Sequence, residues 1–118
     1  MTKPLDDLTH RLIQFRDERD WRRFHSLKNL IGSVSIEAAE LLETVQWRDE
    51  RDLESAAGDP ALKAKLGEEC ADIFLYLLLI CERTGIDLLA AADQKIITNA
   101  AKYPVEKARG NARKYTEL

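Results

Sequence analysis

Between Cys70 and Cys81 the chain reads Cys-Ala-Asp-Ile-Phe-Leu-Tyr-Leu-Leu-Leu-Ile-Cys, and Asp72 is the one charged residue in it. This run constrains the fold more than any other feature. It is too short to cross a bilayer, which takes about 20 apolar residues. A helix that is apolar on every side instead belongs in the interior of a protein. The run predicts a central helix, walled in by others, with a carboxylate set into an apolar surround.

The rest of the chain shares the helical period. Glycine is scarce, and no stretch alternates with period two over a useful length. A first helix is predicted to begin near Pro4 and to carry Leu5, Leu8, Leu12 and Phe15 as one stripe. The charged segment from Arg16 to Arg23 interrupts it, and Asp20 to Ser26 reads as a loop or frayed turn. Ser26 is a suitable N-cap for a second helix. There Leu27, Leu30, Ile31, Val34, Ala38, Leu41, Leu42 and Val45 fall on one broad face, with Ile36 and Trp47 on the other side. Asp49 to Asp59 reads as a polar loop. The third helix is predicted from Pro60 to Arg83, ended by Gly85. Asp87 then caps a fourth, carrying Leu88, Leu89, Ala92 and Ile96 inward, which Tyr103-Pro104 stops. Val105 to Leu118 is a basic tail with little core-forming power.

The fold expected is all-α, a single domain over residues 1–118 built as a four-helix type of bundle. Its second and third helices carry more apolar surface than so short a chain can cover. Completion by dimerisation is therefore expected, with a monomeric bundle as the plain alternative. Net charge of −3 and a pI of 5.4 argue against affinity for nucleic acid polymers or anionic membranes. The amino terminus has no apolar segment of signal-peptide type. Cys70 and Cys81 stand about 16 Å apart on one helix and cannot bridge there, so a reducing cytoplasm is the expected compartment.

Two acidic groups carry the chemistry. The second helix holds Glu37-Ala-Ala-Glu40-Leu-Leu-Glu43, and the third holds Glu68-Glu69-Cys-Ala-Asp72. Residues three apart share a helix face, so Glu37/Glu40 and Glu69/Asp72 each form a ready pair. Like charges at that spacing destabilise a helix unless something neutralises them. Hard divalent cations take oxygen ligands, and magnesium is commonly held by a few carboxylates with water and phosphate. A solvated acidic face is the alternative for Glu37, Glu40 and Glu43, and a salt bridge is the alternative for Asp72. A non-catalytic helical interaction protein with an acidic surface would be the corresponding function. The Glu-x-x-His spacing of di-iron bundles is absent, because neither His10 nor His25 has a Glu three residues before it.

Beyond these groups, an ordered set of motifs runs along the chain: Arg19-Asp20-Trp21, Phe24-His25, Lys28-Asn29-Leu30, Glu37-Ala-Ala-Glu40-Leu, Gln46-Trp47, Glu68-Glu69-x-x-Asp72, Tyr76, Thr98-Asn99, Lys102-Tyr103-Pro104 and Lys114-Tyr115-Thr116. In these residues the sequence resembles the MazG-like all-α nucleotide pyrophosphohydrolases, in particular their dCTP pyrophosphatase branch. The resemblance spans about Phe15 to Thr116. It implies a helical homodimer or homotetramer that cleaves a nucleoside triphosphate to its monophosphate and pyrophosphate. It also implies magnesium held by Glu37, Glu40, Glu69 and Asp72, which would be the catalytic residues. Tyr76, Lys95 and Asn99 would reach the phosphates, and Trp21, His25 and Trp47 would line the base pocket. Leu27 stands where many relatives have proline, and Arg48 to Asp59 is a variable segment. A spare carboxylate, Glu40 or Glu43, is the candidate proton acceptor.

Overall fold

The computed structural model describes residues 3–55 and 58–118, and every regular element among them is helical. Helix α1 spans Lys3–Glu18, α2 Leu27–Glu43, α3 Glu50–Glu54, α4 Pro60–Thr84, α5 Leu88–Lys102 and α6 Val105–Ala108. Single 3₁₀ turns occupy Arg22–Phe24 and Tyr115–Glu117. The all-α expectation holds.

Local chemistry sets most boundaries. The Ser26 side chain accepts from the Asn29 N–H at 3.1 Å, satisfying a donor that the first turn of α2 cannot. Asp59 does the same for Leu62 and Asp87 for Ala90, and Pro60 opens α4 where its missing N–H costs nothing. At the far end of α4, Gly85 takes φ +73°, a left-handed conformation that a side chain would strain. Asp20 adopts φ +53° between α1 and the 3₁₀ turn, one of the residues that tolerate it.

The chain divides into two compact units, residues 3–85 and 86–118. In the first, α4 packs against α2 and α1. Its buried apolar centre is Leu5 of α1, Leu30 of α2, and Leu62, Leu78 and Leu79 of α4. In the second, the Tyr103 and Tyr115 rings meet edge-on with centroids 6.0 Å apart, and the Lys102 ammonium lies 4.8 Å from the Tyr115 ring centre. The basic tail therefore has its own short elements.

Several expectations need correction. The turn expected between Asp20 and Ser26 is the 3₁₀ turn at Arg22–Phe24, but the polar stretch after Asp49, read as a loop, contains α3, whose first turn the Asp49 carboxylate caps at 2.8 Å from the Arg51 nitrogen. The run from Cys70 to Cys81 is not covered on all sides. Leu78 and Leu79 are buried, whereas Cys70, Ala71, Asp72 and Phe74 are exposed. The reason is geometric: within residues 3–85, α1 and α2 cover only part of the circumference of α4. On α5, Leu89, Ala92 and Ile96 are exposed rather than inward, and Leu88 is half-buried. Ile31, Ile36 and Leu42 on α2 are likewise exposed.

Candidate metal centre and adjoining cavity

Glu37 and Glu40 stand one turn apart on α2, and Glu69 faces them from α4. Oxygens from the three lie within 4.8 Å of one another. Glu69 is only 6% exposed, and one oxygen of Glu37 and one of Glu69 are buried without a hydrogen-bond partner. A buried carboxylate oxygen with no donor costs on the order of a few kcal/mol, more than neutral groups do. The strain registers in Glu37, whose pKa is pushed up to about 7. A proton shared with Glu40 contributes most, followed by burial and then the charges of Glu40, Asp72 and Glu69. Acceptors that repel one another and lack donors are what a hard cation satisfies. The donor set therefore fits a divalent metal.

Part of the charge is met within the chain. Lys65, one turn before Glu69, places its ammonium 3.3 Å from Glu69 Oε1 and 3.9 Å from Glu68 Oε2. Glu40, Glu43, Thr44, Lys65 and Glu69 together line an open depression of about 440 Å³. Sequence reasoning passed over Lys65, although its spacing of four from Glu69 was a usable signal.

A second feature adjoins this one. A cavity of about 220 Å³ is lined by Leu12, Phe15 and Arg16 of α1, by Trp21 and His25, and by Asp72, Leu75, Tyr76 and Leu79 of α4. Trp21 is held against Phe15 edge-on, with centroids 5.7 Å apart, and its backbone nitrogen donates to the Arg16 carbonyl at 3.1 Å. His25 Nδ1 is buried with no partner, and burial followed by the nearby Arg16 charge lowers the imidazole pKa, favouring its neutral form. Asp72 lines this cavity and acts on Glu37 through its charge, which couples the cavity electrostatically to the carboxylates. It is not among the three carboxylates that cluster, and it is exposed rather than sealed in an apolar surround.

The remaining candidates are Trp47, Lys95 and Asn99. Trp47 lies past the end of α2, is 89% exposed, and lines no part of the cavity. Lys95 and Asn99 are exposed residues of α5, in the second unit. Arg16 was read only as part of a charged run, yet it is 6% exposed and tied into the cavity wall. The signal was there: Leu5, Leu8 and Leu12 continue at helical spacing onto Arg16 as well as Phe15.

Comparison with known proteins bears on the family of the chain. A family model described as "MazG-like family" matches residues 33–118. The chain is 38% identical over 114 residues to "dCTP pyrophosphatase 1" of Rattus norvegicus, covering 97% of this chain and 67% of that protein. It is 36% identical to the Homo sapiens protein of the same name, with the same coverage. Among solved structures, a pyrophosphatase from Archaeoglobus fulgidus superposes with a TM-score of 0.79 at 37% identity, covering 88% of this chain and 95% of that one. With an all-helical fold, an acidic cluster across two packed helices and a family match over most of its length, the chain belongs to the MazG-like family.

Proposed function

We propose that this protein is a magnesium-dependent nucleoside triphosphate pyrophosphohydrolase, with dCTP or a modified dCTP as its substrate, serving the nucleotide pool of the cytoplasm. The observation that carries the reading is the adjacency, within residues 3–85, of a donor-poor carboxylate cluster and an aromatic-walled cavity. The names of the relatives, dCTP pyrophosphatase and pyrophosphatase, support the reaction and the base.

Glu37, Glu40 and Glu69, with Asp72 beside them, would hold magnesium. Bound there, the ion supplies neutralisation of phosphate charge and a water of lowered pKa. The chain's own groups do the rest. Trp21 offers a flat face on which a base stacks, and His25 offers a ring nitrogen to the base edge. The Tyr76 hydroxyl, in the cavity lining with Asp72, would donate to a phosphate oxygen. Glu40 or Glu43, both lining the open depression, would take the proton of the attacking water. Lys95 and Asn99 are proposed as further phosphate contacts, and Trp47 as a base contact that a second subunit brings into place. The exposed apolar side chains Ile36, Leu42 and Phe74 favour a homodimer or homotetramer. Among the described residues no helix is long and apolar enough to cross a membrane.

The test is a panel of the common ribo- and deoxyribonucleoside triphosphates, with separate detection of pyrophosphate and orthophosphate, with and without magnesium. Release of pyrophosphate from dCTP above the other substrates is expected. Release of orthophosphate alone, or no turnover of any triphosphate, overturns the reading. An interaction protein has no use for buried carboxylate oxygens without donors, so the alternative function has no structural support of its own.

A further inference from the structure

Arg16 is the one buried cation among the described residues, and it lies in the cavity wall. Its Nε donates to Asp17 Oδ1 at 2.8 Å, and its Nη1 donates to Glu82 Oε2 on α4 at 3.1 Å. A guanidinium carries five N–H donors in a rigid fork and no acceptor. The two bonds fix the plane of the group and leave three donors without acceptors in the described chain. A charged group ordinarily keeps to water; this one is held in an apolar wall between Leu12, Phe15 and Leu79. Its carboxylate partner on another helix acts as an anchor, so the fork is preorganised before a ligand arrives.

We propose that Arg16 is a specificity-determining residue that reads adjacent hydrogen-bond acceptors on the edge of a pyrimidine base in this cavity. The inference rests on the cavity being the base site of the proposed enzyme. The volume of about 220 Å³ is below the roughly 300–1,000 Å³ of sites that enclose a whole drug-sized ligand, so it suits one ring of a nucleotide. Cytosine presents O2 and N3, two acceptors side by side, which match a donor fork. Uracil presents O2 beside an N3–H donor, which opposes a group that can only donate. A buried donor facing a donor leaves both unpaired, and sites of this kind reject the wrong ligand strongly. Arg16 thereby selects cytosine over uracil. Stacking on Trp21 cannot make that distinction, because every base has a face.

The experiment measures binding rather than turnover: dCMP, dUMP and 3-deaza-dCMP are titrated into the full chain with magnesium by calorimetry. The wild-type protein is expected to bind dCMP at least about tenfold more tightly than dUMP, and 3-deaza-dCMP, which lacks the N3 acceptor, nearly as weakly as dUMP. Arg16→Lys keeps the charge and its Glu82 partner but not the fork, and should bring dCMP and dUMP within about twofold. Arg16→Met combined with Glu82→Gln removes the pair that joins the two helices and leaves only the half-exposed Asp17 carboxylate, which water can solvate, and should do the same while melting as a cooperative helical protein. Selective dCMP binding by the wild type that is retained in either folded variant, or by 3-deaza-dCMP, overturns the role of Arg16 and leaves the enzyme reading standing. Failure of the wild type to bind any of the three nucleotides overturns the cavity as a base site, and the inference with it.

Discussion

The Lys65 ammonium sits 3.3 Å from Glu69 Oε1, while the other oxygen of the same carboxylate is buried without a partner. One residue thus shows both halves of the site's electrostatics: a cation supplied by the chain at one oxygen, and a buried, unpartnered acceptor at the other. Removing the amine should make the metal-free protein slightly less stable, because a solvent-screened ion pair contributes little. It should also enlarge the rise in Tm that magnesium produces, since Glu69 then has no competing cation. Melting Lys65→Met with EDTA and with millimolar magnesium tests this; an unchanged magnesium increment counts against it.

Glu69→Gln and Asp72→Asn preserve shape and remove an anionic ligand. Each should lower magnesium-dependent hydrolysis by more than about 100-fold, because loss of even an outer partner of a metal ligand typically costs 10–100-fold. Far-ultraviolet circular dichroism should stay at the wild-type level. Turnover near wild type at saturating magnesium in either variant would remove that residue from the proposed site.

The pKa of Glu37 makes a signed statement about stability. Its folded value of about 7 lies above the ordinary 4.5, so the folded state holds this proton more tightly than the unfolded chain does. The stabilising contribution is complete below about pH 4.5 and is lost as pH rises through about 7. In EDTA the Tm of the wild type should therefore fall across that window relative to Glu37→Gln, which cannot titrate there. Parallel Tm profiles for the two proteins would refute this.

Trp21, rather than Trp47, is the indole that lines the cavity of the single chain. Base stacking on an aromatic side chain contributes about 1–3 kcal/mol, so Trp21→Ala should raise KM roughly 5- to 150-fold. The effect on kcat should be smaller, because such contacts bind substrate and transition state alike. Steady-state kinetics with dCTP decide it, and a loss confined to kcat would place Trp21 elsewhere.

Ile36, Leu42 and Trp47 expose 61%, 58% and 89% of their surfaces. Isolated apolar residues on a surface are ordinary, but several along one helix and its exit mark an interface. Sedimentation of the wild type at micromolar concentration should show a species of at least twice 13.5 kDa, and Ile36→Glu should shift it toward the monomer. A folded wild-type monomer would show that these side chains are solvated.

The sequence by itself determined what depends on neighbours a turn away. Ser26, Asp59 and Asp87 cap α2, α4 and α5 through bonds spanning three residues, and Gly85 ends α4 through its own φ. For the same reason the pairing of Glu37 with Glu40 was legible from spacing alone. Tertiary structure decided which charged residues leave water. Glu69 became buried and the adjacent Glu68 stayed exposed, because α2 covers one face of α4 and not the next. Asp72, placed by sequence inside an apolar helix, opens instead on a cavity. Arg16 is buried against α4, whose Glu82, 66 residues further on, joins the neighbouring Asp17 as a partner. Burial and charge pairing at that separation are set by which helices pack together, and periodicity along one helix carries no record of its neighbour's position.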